Sequence, residues 1–129
     1  MGDIAKQLGG DWVEVTVILD DPMQDPHSYE ASARDQLAVN DAELIVMNGG
    51  GYDEFMHKLI DSAESVKLVV EAVPEHDSTG ESDSHAHSHD HDNEHVWYDF
   101  DSVGEFSENF VAALTDIRPE SFTDVNKNF

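Results

Sequence analysis

Apolar and polar residues follow one another along the chain in blocks that predict alternating strands and helices. Segment 12–19 (WVEVTVIL) places apolar residues at every second position, which is the periodicity of a strand. Segments 43–48 (ELIVMN) and 66–73 (VKLVVEAV) are short and almost continuously apolar. This composition is typical of strands that are covered on both faces of a sheet.

Between these segments, apolar residues recur at helical spacing. A short first helix ends at Gly9-Gly10, and a second begins at Ser32, with Asp35 completing a capping box. A third helix is predicted over 52–63, and two more follow position 99, the last beginning at Pro119. Strand–helix alternation predicts an α/β fold in which a small parallel sheet is flanked by helices.

A polar, acidic tract over residues 75–94 interrupts this pattern, and we interpret it as a flexible loop. It contains four closely spaced histidines: His85, His87, His89 and His91. In an extended chain, alternate side chains point to opposite sides, so this spacing defines no rigid site. The tract therefore indicates metal binding without indicating a coordination geometry.

Two further histidines have more defined surroundings. His27 follows the first predicted strand in DPHSYE, in a loop that Pro22 and Pro26 restrict, and His95 opens the apolar segment HVWYD. Because strands of a parallel sheet end at one edge, the PHSYE and GGGYDE segments are both expected there. Taken alone, however, His27 is more simply an ordinary loop histidine, and His95 the last histidine of the polar run.

His57 and the GGG segment are interpreted as structural features. His57 lies on the polar face of the predicted helix, four residues from Asp53 and from Asp61, which is typical of a solvated face with local charge pairing. Residues 49–51 are all glycine, but acids and no lysine follow them, so they indicate a tight turn and not a phosphate site.

The net charge of the chain limits the kinds of ligand that it can bind. The chain has 29 acidic and 6 basic residues, a formal net charge of −23, which disfavours nucleic acid and anionic membrane surfaces and favours a cationic ligand. The absence of cysteine excludes thiolate metal sites and disulfides. No nucleophile–base pattern stands out among the acids, and no apolar run reaches the roughly 20 residues that span a bilayer.

Together, GDIAKQLGGDWVEVTVIL, DPHSYE, DAELIVMNGGGYDEFMHKLI, the His-rich tract and HVWYD resemble the metal-specific solute-binding proteins of ABC transporters. The resemblance implies two α/β lobes joined by a long helix, with the metal between them. Residues 1–118 would be the N-terminal lobe and 119–129 the start of the connecting helix, with the C-terminal lobe absent. It further implies that His27 and His95 are metal ligands and that His85, His87, His89 and His91 are auxiliary.

The resemblance also implies a function. We expect an extracytoplasmic protein, periplasmic or lipid-anchored, that captures a divalent ion and delivers it to a membrane permease. The His-rich insertion is similar to that of zinc-importing members, so Zn²⁺ is favoured over Mn²⁺. We expect no enzymatic activity and no nucleic-acid partner, and membrane contact only through a lipid anchor or the permease of the full-length protein, whose leader this sequence lacks.

Two departures from the family pattern bear on these expectations. Family members begin with a buried strand ahead of the first helix, and Phe100 stands where they usually have proline. A missing strand would expose the neighbouring sheet edges and would favour pairing with another copy. Two other functions stay open: a cytosolic metal-storage or metallochaperone protein that binds through the histidine run, and a small α/β hydrolase-like zinc enzyme.

Overall fold

The computed structural model describes residues 1–65, 67–73 and 99–129. In chain order, the elements are α1 (Gly2–Gly9), α2 (Ala33–Asp41), β1 (Leu44–Gly49), α3 (Glu54–Asp61), β2 (Leu68–Val73), α4 (Phe100–Ile117) and α5 (Phe122–Asn128). Short 3₁₀ turns lie at Gly10–Trp12, Pro26–Ser28 and Pro119–Ser121. The predicted α/β class is confirmed.

The sheet is built from β1 and β2, which pair in parallel from Leu44 opposite Leu68 to Gly49 opposite Val73. Helix α3 makes the crossover between them. Most side chains of the two strands are apolar, and helices cover both faces of the sheet. On one face, Val70 and Ala72 pack with residues of α1, α4 and α5, and on the other, Ile45 and Met47 pack with α2 and α3. The sheet thus separates two hydrophobic clusters.

The helix boundaries follow from local capping chemistry. Both hydrogen bonds of the predicted Ser32–Asp35 capping box are present at the start of α2. Helix α4 begins after Asp99, whose carboxylate accepts from the backbone N–H of Asp101. Helix α1 is followed by Gly10 with a φ of 52°, a conformation that glycine adopts without steric cost.

The prediction of a strand over residues 12–19 was wrong. Val13 has extended dihedral angles, but residues 13–19 pair with no strand in the described part of the chain. Val13 packs against one hydrophobic cluster, and Ile18 and Leu19 pack against the other. A strand also needs a neighbour about 4.8 Å away, and here a cavity separates the segment from β1. The hydrophobic periodicity therefore predicted the extended backbone at Val13, but it could not predict whether a strand pairs with the segment.

The C-terminal segment packs against the beginning of the chain. The side-chain amide of Asn128 donates to the carbonyl of Leu8 at 3.0 Å, and the indole N–H of Trp12 donates to Asp124 at 3.3 Å. Helix α5 therefore lies against α1, and the division of the chain at residue 118 stays a prediction. Among the described residues, no helix has the length and apolarity needed to cross a membrane.

Candidate metal site at the carboxyl edge of the sheet

The backbone around His27 is fixed by a short capped turn. Pro26 opens the 3₁₀ turn Pro26–Ser28, where its restricted φ costs no hydrogen bond. One carboxylate oxygen of Asp25 accepts from the backbone N–H of His27 at 3.0 Å, and the other accepts from the Ser28 hydroxyl at 3.2 Å. The turn therefore presents the exposed His27 side chain from a backbone with satisfied donors.

Tyr29 attaches this turn to two helices. Its ring packs edge-on against Phe55 of α3, with 4.7 Å between ring centroids. Its hydroxyl donates to the Asp35 carboxylate of α2 at 2.8 Å. The same carboxylate oxygen accepts from the backbone N–H and the hydroxyl of Ser32, at 2.7 and 2.8 Å. One carboxylate thus links the His27 loop to the start of α2.

The pKa values of this pair reflect the shared hydrogen bond. Donation to Asp35 raises the pKa of the Tyr29 hydroxyl, and burial and the negative charges of Asp35 and Asp20 act in the same direction. Desolvation alone would raise the pKa of Asp35, but hydrogen bonds from Ser32 and Tyr29 outweigh it and hold the pKa below its ordinary value of 3.8. Asp35 therefore acts as an ionised acceptor near neutral pH.

A glycine turn forms the other side of the site. Gly49, Gly50 and Gly51 have φ values of 74°, 60° and 84°, a run that other residues rarely adopt. The Asp53 carboxylate stabilises the turn by accepting from the backbone N–H groups of Asn48 at 2.7 Å and Gly49 at 2.9 Å. The interpretation as a tight turn is confirmed.

The turn brings Tyr52 to His27. The two rings meet edge-on, with centroids 6.0 Å apart and an interplanar angle of 74°. His27 therefore lies at the carboxyl end of β1, where the sequence placed both loops. Strand β2 ends at Val73, opposite Gly49, so the chain leaves the sheet beside this same turn.

The remaining candidate ligands lie outside the described residues. This applies to His95 and to the four histidines of the polar tract: His85, His87, His89 and His91. Within residues 1–65, 67–73 and 99–129, no group of three or more histidines and acids is close enough to hold a metal ion. The described part of the chain thus contributes His27 as one imidazole at the sheet edge.

His57 has different surroundings. It is half-buried on α3. The sequence predicted that the carboxylate of Asp53 would pair with His57. The carboxylate of Asp53 instead accepts from the two backbone N–H groups at the end of β1. Sequence spacing brought His57 and Asp53 within reach on one helix face, but the N–H groups at the strand end compete for the carboxylate.

Comparison with known proteins decides the family. The family described as ZnuA, zinc-uptake complex component A, periplasmic, matches the chain over residues 1–129. This chain belongs to the ZnuA family. The manganese-binding lipoprotein MntA of Halalkalibacterium halodurans is 31% identical to it over 114 residues, which are 84% of this chain and 34% of that protein.

Solved structures show the same fold. The cadmium-bound periplasmic metal binding protein from Candidatus Liberibacter asiaticus is 26% identical, with a TM-score of 0.75 over 98% of this chain and 46% of that one. The Zn(II)-bound ZnuA-like domain of Streptococcus pneumoniae AdcA is 22% identical, with a TM-score of 0.73 over 98% and 45%. This ZnuA-family chain therefore spans about a third of its curated relative and less than half of these structures.

Membership in the ZnuA family confirms several expectations. It confirms the resemblance found in the sequence, the extracytoplasmic location and the absence of an enzymatic role. The similar proteins are a manganese-binding lipoprotein, a cadmium-bound protein and a Zn(II)-bound domain. The family therefore indicates a divalent cation and not one particular metal.

Sequence reasoning missed the residues that hold the His27 loop of this ZnuA-family chain. Tyr52 contacts the His27 ring, and the Tyr29–Asp35 hydrogen bond fixes the loop. A signal for Tyr52 was present: it directly follows the glycine turn at the strand end where His27 was expected. The Asp35 contact had a weaker signal, because a capping-box carboxylate has a free lone pair that a nearby hydroxyl can use.

Proposed function

We propose that this chain is a metal-binding lobe of the extracytoplasmic component of an ABC importer, with His27 and His95 as its fixed ligands. The observation that carries the proposal is the placement of His27. Its turn is held by Asp25 and Tyr29, and its ring lies beside Tyr52 at the carboxyl edge of the sheet. A ligand held in this way loses little further conformational entropy when it binds an ion.

The way the chain connects to this edge supports His95 as the second ligand. The chain leaves β2 at Val73, beside Gly49, and re-enters the described structure at Asp99, which caps α4. His95 lies four residues before that cap. Two imidazoles at one rim would form half of a tetrahedral site, and the remaining ligands would come from water, loop histidines or another lobe.

Among divalent cations, the chemistry of the proposed histidine ligands favours zinc. Imidazole suits zinc, whereas manganese prefers carboxylate, carbonyl and water oxygens. The proposed fixed ligands are both histidines, and the polar tract adds His85, His87, His89 and His91 as auxiliary ligands. We therefore propose Zn²⁺ as the physiological ion, with Mn²⁺ as a weaker ligand.

The polar tract would act as a collector for the fixed site. The net charge of −23 raises the local concentration of cations, and this effect weakens as salt screens it. Loosely held imidazoles can capture an ion but pay an ordering cost, so they bind it less tightly than a preformed site. An ion would therefore move from the tract to His27 and His95, and from there to the membrane permease.

Two variants test the division between fixed site and collector. One replaces His27 and His95 with alanine, and the other deletes residues 77–92. Calorimetric titration with ZnCl₂ and MnCl₂ should show at least a hundredfold loss of the tightest zinc affinity in the first variant. The deletion should retain that affinity and reduce only the number of weaker sites.

The opposite result would favour a different function. If deleting residues 77–92 alone removes zinc binding, the histidine run is the principal site and a metal-storage role explains the chain better. Tighter binding of Mn²⁺ than Zn²⁺ by the unmodified protein would contradict the proposed metal and leave the fixed ligands in place. The two arms therefore test the site and its specificity separately.

A further inference from the structure

Exposed acidic side chains occur in every part of the chain that the structure describes. The sequence has 29 acidic and 6 basic residues, and none of the described acidic side chains is buried. Each of the five helices presents at least one exposed acid, for example Asp3, Asp41, Glu54, Asp101 and Asp124. Because the acids are spread over all these elements, they do not form one patch for a single basic partner. The acidity is a property of the whole surface.

The few basic residues neutralise little of this charge. Arg118 pairs with Glu43, and Lys127 pairs with Asp124 at 3.3 Å, and the side chains of both pairs are exposed to solvent. Exposed ion pairs of this kind contribute little to stability. Lys67 instead donates to two backbone carbonyl oxygens at the end of α2, where a positive charge complements the helix dipole. Most of the carboxylates therefore face solvent without a basic neighbour to offset their mutual repulsion.

Helix α4 shows this arrangement most clearly. Its sequence contains no basic residue, and its exposed face carries an acid at nearly every turn: Asp101, Glu105, Glu108 and Asp116. Side chains three or four residues apart on a helix are neighbours, so like charges at this spacing repel each other. Asp116 also lies in the last turn, where the helix dipole disfavours a negative charge. The opposite face of α4 packs into a hydrophobic cluster, so destabilisation of this helix weakens the core directly.

The distance over which salt screens charges determines when this repulsion matters. The screening length is about 10 Å at 0.1 M salt and about 3 Å at 1 M salt. Neighbouring acids on one helix face are about 5–6 Å apart at their Cβ atoms, a separation between these two lengths. In dilute salt their repulsion is therefore largely unscreened, and only salt near 1 M suppresses it. A large net charge destabilises the compact state through the same repulsion, while it keeps the protein soluble.

We propose that this chain reaches its full stability only at molar ionic strength, and that it works in an external medium of that kind. Its extracytoplasmic location exposes it directly to that medium. At molar salt the two hydrophobic clusters hold the fold against a repulsion that is largely screened, and in dilute salt the repulsion between carboxylates opposes them. The proposal concerns the surface of the chain and does not depend on metal binding at His27.

Thermal unfolding of the unmodified chain, followed by circular dichroism, tests the proposal directly. We expect the melting temperature to rise by about 15 °C or more when NaCl increases from about 0.1 M to about 3 M, because screening removes most of the repulsion. A rise of less than about 5 °C would overturn the proposal. A chain that shows no cooperative transition even at the higher salt concentration would overturn it as well.

A variant of α4 separates screening from the general effects of salt on proteins. Glu105→Gln, Glu108→Gln and Asp116→Asn together remove three exposed charges from one face and leave helix propensity nearly unchanged. The variant should melt about 5 °C above the unmodified chain at low salt, and within about 1 °C of it at high salt. General salt effects act on both proteins and cancel in this difference. A difference of the same size at both salt concentrations would contradict the proposal.

Lys58→Gln is the control of opposite sign. Lys58 is exposed on α3, with Glu54 four residues before it and Asp61 three residues after it. Removal of this positive charge should lower the melting temperature at low salt and leave it unchanged at high salt. If Lys58→Gln instead raises the melting temperature as the α4 variant does, then loss of repulsion between acids is not the cause of either shift.

A divalent salt separates screening from the binding of individual cations. MgCl₂ at about 10 mM adds an ionic strength of only about 0.03 M, which changes screening little, but it would fill carboxylate sites that bind a divalent cation. We expect it to give less than about a third of the rise in melting temperature that 3 M NaCl gives. If 10 mM MgCl₂ stabilises the chain as fully as 3 M NaCl does, then bound cations and not ionic strength support the fold, and the proposal is wrong.

Discussion

The His27 loop and helix α3 both present a histidine close to acidic residues, but only the loop has the features of a ligand site. His27 lies in a turn held by Asp25 and by the contacts of Tyr29, at the edge where both strands end. His57 lies on a helix, and one of the two aspartates four residues from it, Asp53, is engaged at the strand end. The comparison teaches that the neighbours that hold a histidine, and not its residue type, make it a candidate ligand.

The two regions also depend on each other. The ring of Tyr29 in the loop packs on Phe55 of α3, and Tyr52, which precedes α3, contacts His27. Helix α3 thus contributes to the site through its first turn and not through His57. Substitutions that remove the supports of the loop one by one, and then His57 itself, test this dependence.

The largest effect is expected from Gly49→Ala, which disturbs the turn under Tyr52. Gly49 has a φ of 74°, and a Cβ there would lie 2.2 Å from the carbonyl oxygen of Val73. Backbone strain and the clash should together cost about 3 kcal/mol or more, because the opposing atom belongs to the backbone. Urea unfolding followed by circular dichroism measures the loss, and weaker zinc binding should accompany it.

Gly104→Ala is the matched control for this substitution. Gly104 lies within α4, and a Cβ there meets no atom within 4 Å. The substitution should stabilise the protein by up to about 1 kcal/mol through helix propensity. If Gly49→Ala proves as harmless as Gly104→Ala, then the register of β1 and β2 at Val73 is not what the structure shows.

Tyr29→Phe should have the next largest effect, because it removes the hydrogen bond between the loop and Asp35. We expect a loss of about 1 kcal/mol at pH near 7, since the acceptor is ionised but partly exposed. Zinc affinity should fall by a few fold, because the ring of residue 29 still packs on Phe55 while the loop becomes less fixed.

The pH dependence of this variant gives a second check. The pKa of Asp35 is held below 3.8 in the folded protein, so its contribution is present above that pH and is lost as the pH falls below it. The stability difference between Tyr29→Phe and the unmodified protein should therefore shrink in acid. A difference that stays constant however far the pH is lowered below 3.8, while the protein remains folded, would mean that Asp35 is not the partner that matters.

Asp25→Ala should have a smaller effect on stability and a specific effect on the metal. It removes the acceptor for the backbone N–H of His27, at a cost of about 0.5–1 kcal/mol. Asp21→Ala is its control, because Asp21 accepts similarly from the backbone N–H of Met23 in the same loop. Both variants lose one charge, so a severalfold loss of zinc affinity in Asp25→Ala alone would isolate the positioning of His27.

The sequence predicted most of the elements because their signals are local. Ser32 with Asp35 marked the start of α2, and the apolar runs marked β1 and β2. What it could not predict depends on contacts between distant residues. The partner of segment 13–19 and the ring contact of Tyr52 with His27 belong to this class. Local periodicity carries no information about such contacts, because they join residues that are far apart in the sequence.

The smallest effect is expected from His57→Ala, which tests the other side of the comparison. His57 lies outside the proposed pair of fixed ligands, His27 and His95, so zinc affinity should change less than twofold. Histidine to alanine on a helix should alter stability by less than about 1 kcal/mol, because the gain in helix propensity offsets lost contacts. Titrated beside His27→Ala, this variant removes the same chemical group from α3 and leaves the His27 loop unchanged. If both variants lose zinc equally, then histidine number governs binding, and the supports around His27 have no part in it.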